Sequence, residues 1–263
     1  MGWRGLWLVP ARGRGGVPVG VLALNWFAAL SLVALAFWHA FDQIAYHWNW
    51  GGVWTYRRKL LGGWATTLWI SLASLSLSLL FGLAAALARR SRLILARCLG
   101  GFYVELVRGT PLLVQLLIFF YVVADAFGLQ NRHLTGILIL SFFSGAYLAE
   151  IIRAGIESVG TTQLETARAL GLSWWQTQRL IVFPQAARNA LPPMAGQLVS
   201  LVKDSSLLSV IGIGEFALNA QEVNAFTYST LESYLPLAVG YLALTLPISF
   251  FSRWLEGRAR FET

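Results

Sequence analysis

The chain has 263 residues, 57% of them hydrophobic and 12% charged, with a formal net charge of +8. That composition excludes an ordinary soluble domain, because it leaves uncharged runs long enough to cross a hydrocarbon core of about 30 Å. The positive balance does not call for nucleic acid, since Arg and Lys gather in the cytoplasmic loops of membrane proteins, and the single cysteine, Cys98, excludes a disulfide framework or a thiolate metal cluster.

Taken in chain order, Arg4, Arg12 and Arg14 precede an uncharged stretch from Gly15 to Phe41. It is too long for a cleaved signal segment and ends in the bulky "AFWHAF", which predicts a retained span over 19–41. Residues 44–59 carry Tyr46, Trp48, Trp50, Trp54 and Tyr56, an aromatic set suited to headgroup level, followed by the basic run Arg57, Arg58, Lys59. The second span, 62–88, is the cleanest, and its Ser74, Ser78 and Gly82 form a small-residue ladder that lets another helix approach closely. A third span is expected over 103–124, opening with Glu105 and Arg108 and holding Pro111 and Gln115. Polar groups in a span rarely face lipid, so Arg108 and Gln115 either line a passage or mark a helix end with a snorkelling Arg. The fourth span, 134–153, ends in Glu150, Arg153 and Glu157, spaced for ion pairs along one helix. Two further spans are expected over 189–213 and 232–252.

Placing the N-terminus inside puts Arg89, Arg90, Arg92, Arg97, Arg153, Arg168, Arg179, Arg188, Arg253, Arg258 and Arg260 on the same side as Arg4, Arg12 and Arg14. Only Arg57, Arg58, Lys59 and Arg132 then lie outside, so both termini are expected in the cytoplasm. The "RRK" of 57–59 opposes this rule.

Between the fourth and fifth spans runs "QLETARALGLSWWQTQRLIVFP", from Gln163 to Pro184. Thr162 and Glu165 have capping-box spacing, which predicts a helix from about Gln163, and Gly171 suits a left-handed stop. Ser173 and Gln176 repeat the capping-box spacing for a second helix of about ten residues, which Pro184 is expected to end. A helix this short is marginal in water and must be held by packing. It is either a structural connection or a docking site on the cytoplasmic side, and Glu165 either docks or caps.

In the fifth span, Lys203 and Asp204 fall about 21 Å along it at ~1.5 Å per residue. A central charge costs about 2.5–3.5 kcal/mol even on an insertion scale, so the pair must face water, each other or the bundle interior. Alternatively the span ends near Val202 and the pair sits at the outer interface. Ser205 and Ser206 are placed to cap a new half-helix from Leu207, as in the broken helices of transporters. His39, His47 and His133 are scattered without metal-ligand spacing, and no catalytic grouping is visible. The chain also lacks a G-x-x-x-x-G-K-[ST] phosphate loop, so it carries no ATP site of that type.

"ETARALG", nine residues, then "IVFP" resembles the EAA loop of permease subunits in bacterial ATP-binding cassette importers. Glu165, Ala167, Gly171, Ile181 and Pro184 match that loop; Thr166 stands for an alanine and Phe183 for a leucine. "VRGTPLLVQL" at 107–116, "AYLAEIIRAGI" at 146–156 and "LVKDSSLLSVIGIGE" at 201–215 are similar to the polar amino acid branch of the same family. The likeness covers roughly 62–255.

The resemblance implies an all-α integral membrane protein with a type I importer fold, a five-helix core plus one N-terminal extra helix. Residues 1–61 would be an N-terminal segment with that helix and the interfacial stretch, 62–255 the transport domain with its coupling loop at 161–184, and 256–263 a cytoplasmic tail. It further implies a non-catalytic subunit of the bacterial inner membrane that binds no cofactor itself. Its expected partners are an ATPase dimer carrying ATP and Mg, a second or homologous permease, an external amino acid binding protein and membrane lipid. Glu165, Thr166, Ala167, Gly171 and Pro184 would then couple to the ATPase. Lys203, Asp204, Ser205, Ser206, Arg108 and Gln115 would be candidates for the substrate path, the charge pair meeting an amino acid's ammonium and carboxylate. Competing readings are a secondary transporter or channel without an ATPase, and a scaffold whose cytoplasmic helices recruit a soluble partner.

Overall fold

The computed structural model describes residues 18–43 and 46–259, and every regular element among them is helical. Arg4, Arg12, Arg14 and Arg260, with positions 44 and 45 of the aromatic stretch, lie outside the described residues. The chain divides into two compact units, one ending at Trp48 and the other beginning at Asn49. In the first, α1 (Val19–Asp42) is a 24-residue apolar helix that buries none of its residues. At ~1.5 Å per residue it is long enough to span a bilayer core.

The second unit starts with a short helix, α2 (Trp50–Thr55), capped by the Asn49 side chain, which accepts from the Gly52 N–H at 3.1 Å. Helix α3 (Arg57–Arg89) begins earlier than the uncharged run suggests, so Arg57, Arg58 and Lys59 form its first turn. Then come α4 (Ile94–Gly109), α5 (Leu112–Ile118) with a π turn over Phe119–Ala124, and α6 (Arg132–Glu157). The segment after α6 holds α7 (Thr161–Ala169) and α8 (Trp174–Thr177). Helix α9 (Phe183–Asp204), a 3₁₀ stretch over Ser205–Ile211, α10 (Phe216–Thr227) and α11 (Thr230–Ala259) complete it.

Helices α3 and α6 are the centre of the bundle and run parallel. Ser74 Oγ donates to the Ile137 carbonyl at 3.4 Å, and eight residues on, a Cβ at Gly82 would lie 2.8 Å from Leu148 Cβ. Ser74, Ser78 and Gly82 are all buried in this contact, so the small-residue ladder is where two backbones meet. Helix α9 runs back against α6: Gly155 faces Ala186 near one end, and Gln197 Nε2 donates to Ser144 Oγ at 3.2 Å further up. The starts of α3 and α6 therefore share one end of the bundle, and their last turns share the other with α7. The core between them gathers Ile70, Val107, Leu116, Leu140, Phe143 and Leu208.

The expected third span is not one rod. Helices α4 and α5 meet at 111°, and α4 starts at Ile94 rather than 103. Pro111 has no N–H and forces Thr110 into an extended conformation (φ −124°, ψ 146°), so the helix cannot pass through. By length and composition α1, α3, α6 and α11 can each cross a membrane, and the bent α4–α5 pair makes a fifth if it is one span. The expected span over 189–213 is realised as α9 plus the 3₁₀ stretch, and Arg188, Asn189, Gln197, Lys203 and Asp204 interrupt its apolar character.

Candidate functional site

Helix α7 starts at Thr161 with Gly160 as N-cap, so Thr162 already lies inside the helix. The expected capping box of Thr162 and Glu165 does not form, because a residue with helical backbone cannot present its hydroxyl to the free N–H groups ahead of it. Instead the Thr162 carbonyl accepts from Thr166 Oγ1 at 2.8 Å, and Glu165 projects from an exposed position. The C-terminal stop is as expected. Gly171 has φ +72°, the Gly171 N–H reaches the Arg168 carbonyl at 3.0 Å, and the Leu172 N–H reaches the Ala167 carbonyl at 3.0 Å. These two bonds are a Schellman motif, in which glycine takes the left-handed position without a Cβ penalty.

The second capping box is present: Ser173 accepts from the Gln176 N–H, and Gln176 Oε1 accepts from the Ser173 N–H at 2.8 Å. Pro184, however, does not end this helix. The chain passes from α8 through a π turn, Gln178–Val182, straight into α9, and Pro184 sits in the first turn of α9. Within this continuous helical stretch the proline removes one N–H, and the wider π turn before it relieves the ring's clash with the preceding carbonyls.

Only Ala167 of α7 is buried, at 0% exposure, and Gln185 of α9 bonds back to Gln163. Much of the remaining loop surface is open: Leu170, one turn after Ala167, is 73% exposed, and Trp174 and Trp175 are exposed with ring centroids 6.3 Å apart. Thus α7 is seated through the Ala167 methyl, the half-buried Leu164 and the Gln163–Gln185 bond, with Glu165, Thr166 and Leu170 exposed.

Beneath this loop, Glu150 gathers the ends of three helices. Arg89 of α3 donates to it at 2.7 Å, Arg153 pairs with both Glu150 and Glu157, and Arg108 of α4 lies 3.9 Å away. Arg108 also stacks over the Tyr147 ring at 5.6 Å. The expected ion pairs of α6 therefore form and reach two more helices.

The candidate path residues do not come together as one set. Gln115 is buried and its Nε2 donates to the Val107 and Thr110 carbonyls, at 2.7 and 3.0 Å, and lies 2.8 Å from Thr110 Oγ1. It staples the break at Pro111 and satisfies carbonyls that the interrupted helix leaves free. Lys203 is exposed and Asp204 half-buried, and no ion pair joins them among the described residues. Neighbours in sequence on a helix point in different directions, so the two charges diverge.

Ser205 and Ser206 are not caps: their hydroxyls donate back to the Val202 and Lys203 carbonyls at 2.8 and 2.7 Å. The helix tightens to 3₁₀ rather than breaking, and stops only at Gly212, φ +73°. That 3₁₀ segment enters the core through Leu208 and Ile211, directly after the charge pair.

Sequence reasoning assigned no role to Glu215, which is wholly buried. As N-cap of α10 its carboxylate accepts from the Ala217 and Leu218 N–H groups at 2.9 and 2.8 Å. It also accepts from Thr67 of α3 at 3.2 Å and Tyr241 of α11 at 3.1 Å. An acidic residue between the glycine-rich turn "GIG" and the apolar start of α10 was the available signal. Glu232, also fully buried, accepts from the Asn49 N–H.

Residues 78–261 match the family model described as the binding-protein-dependent transport system inner membrane component. This chain belongs to that permease family. The permease is 36% identical over 214 residues to the glutamine transport system permease protein GlnP of Escherichia coli K12, covering 81% of this chain and 98% of that one. It is 32% identical over 202 residues to the arginine transport system permease protein ArtQ of Bacillus subtilis, covering 76% and 92%. A crystal structure of an amino acid ABC transporter with histidines superposes with a TM-score of 0.75 at 32% identity, over 81% of the permease and all of that chain. The permease is thus a membrane component of the ABC amino acid importer family with the type I importer fold, and an inner membrane protein.

Proposed function

We propose that the permease forms half of the translocation path of an ATP-driven importer of polar amino acids, and that α7 is the helix through which a separate ATPase subunit moves it. The observation that carries this reading is the seating of α7. It is held by the Schellman turn at Gly171 and the buried Ala167 methyl, while Leu170, Glu165 and Thr166 face outward. A short helix with one small buried residue gains little from its own packing, and it is suited to completing an interface with another chain.

In this reading both termini are cytoplasmic, ATP and Mg belong to the ATPase dimer, and a second copy or a homologous permease supplies the other half of the path. A binding protein delivers the amino acid on the opposite side. The names of the relatives, glutamine and arginine permeases, support the substrate class. When the ATPase closes, force on α7 passes along two routes. One is α9, continuous with the loop through Pro184 and ending at Lys203 and Asp204. The other is the Glu150 cluster, which clamps α3, α4 and α6. Arg108 takes part through Glu150, and Gln115 acts by fixing the α4–α5 break. The bundle is the two-state element that ATP and the loaded binding protein both bias.

Co-purification tests the docking. A Leu170→Asp, Glu165→Arg double variant should retain at least about 10-fold less of the cognate ATPase, the effect of losing one interface hot spot. Full retention of the ATPase by an inserted double variant would place the docking elsewhere.

A further inference from the structure

At the end of the bundle opposite α7, a groove of about 910 Å³ opens between α2, the first turns of α3, α10 and α11. Its size is within the roughly 300–1,000 Å³ usual for small-molecule sites. The walls are Trp50, Trp54, Leu61, Trp64 and Val239, and Arg57 at the rim is the single charged residue of the lining among the described residues. The floor is tight: Trp64 Nε1 donates to the Gly240 carbonyl at 3.0 Å, and a Cβ at Gly240 would lie 2.3 Å from the Phe216 ring. The walls are open, with Trp54, Leu61 and Val239 each more than 60% exposed.

The arginine at the mouth is what the transport reading leaves unexplained. Lys59 is occupied, paired with Glu222 and stacked over Phe226. Arg57 is steered instead toward the groove: Nη1 donates to the Trp54 carbonyl at 3.0 Å, and the guanidinium lies 5.2 Å over the Trp54 ring. Among the described residues neither Arg57 nor Arg58 pairs with a carboxylate. Both also occupy the first turn of α3, where a helix disfavours positive charge.

We propose that this groove binds one anionic phospholipid of the surrounding bilayer, an acyl chain lying between Trp64 and Val239 and the phosphodiester meeting Arg57. A fixed phosphate offsets a cation that lacks an acidic partner, with the fork geometry that arginine offers to phosphate oxygens. The tryptophans sit where chain and headgroup meet. The inference rests on the membrane reading and is independent of coupling through α7; the proposed orientation only assigns the lipid to the outer leaflet.

The test is native mass spectrometry of the delipidated permease, purified with its partner subunits. It is titrated with phosphatidylglycerol, with phosphatidylcholine of identical chains, and with glycerol 3-phosphate. Phosphatidylglycerol should bind about 10-fold more tightly than phosphatidylcholine, and glycerol 3-phosphate should not bind. Arg57→Gln should lower phosphatidylglycerol to the phosphatidylcholine level, leaving the latter unchanged. Leu61→Trp, which fills the groove without touching the charges, should weaken both. Equal affinity for the two lipids in the unaltered protein overturns the proposal, as does a preference that survives Arg57→Gln. Tight binding of glycerol 3-phosphate would indicate a free-phosphate site and overturn it. So would a photo-crosslinker at Leu61 that captures polypeptide in place of lipid. Uptake is not read in any arm, so this result stands apart from the transport assays.

Discussion

Replacing Glu215 by alanine removes the cap of α10 and the acceptor on which α3 and α11 converge. Loss of the cap alone costs about 1 kcal/mol. The hydroxyls of Thr67 and Tyr241 then lose their acceptor in a dry region, at about 1–3 kcal/mol for each group left unsatisfied. Because these contacts share one carboxylate their losses do not add fully, and the expected total is about 3–5 kcal/mol. Glu215→Gln is the discriminating control. Its remaining oxygen still accepts from the Leu218 N–H and the two hydroxyls rotate to accept from its amide, while the Ala217 N–H loses its acceptor, so the loss should be about 1–2 kcal/mol. Reversible unfolding in mixed micelles measures both. An alanine variant within about 1 kcal/mol of the original, or a glutamine variant as damaged as the alanine one, would refute the view that this acceptor holds three helices together.

Gln115→Leu should cost about 2–3 kcal/mol in the same assay, because the Val107 and Thr110 carbonyls lose their shared donor; in the surviving protein the KM for the amino acid should be unchanged, as befits a staple and not a ligand. Gly82→Val places a side chain against Leu148 and the Gly145 carbonyl, so α3 and α6 must separate, and the variant should lose at least about 2 kcal/mol or fail to accumulate. The Lys203→Ala, Asp204→Ala double variant should insert normally but lose most uptake; near-original uptake at normal abundance would remove the pair from the path.

What could be read in the sequence was local. The Ser173–Gln176 box, the left-handed Gly171, the α6 ion pairs and the Ser74–Ser78–Gly82 ladder each depend on residues a turn or two apart, and each is present. The misreadings arose where a local pattern had more than one structural solution. Thr162 and Glu165 have the right spacing, but the helix begins two residues earlier than expected, at Thr161, and takes the hydroxyl into its body. Pro184 is as compatible with a first turn as with a stop, and Ser205 and Ser206 as readily bond back as cap. The bend at Pro111 was hidden because an uncharged run records composition and not direction. Glu215 was least legible of all, since Thr67 lies 148 residues before it and Tyr241 26 residues after.

The central claim, that α7 transmits the ATPase's work to the bundle, is tested most directly by Gly171→Pro in proteoliposomes containing the cognate ATPase and binding protein. Proline cannot adopt φ +72° and deletes the N–H that closes the turn on Arg168, so the helix loses its stop while the spans remain in place. Measured together, ATP hydrolysis and amino acid uptake should separate: hydrolysis continues and uptake per ATP falls by at least about 10-fold, the loss of one strong interface contact. Unchanged uptake per ATP in the inserted variant would contradict a coupling role for this helix.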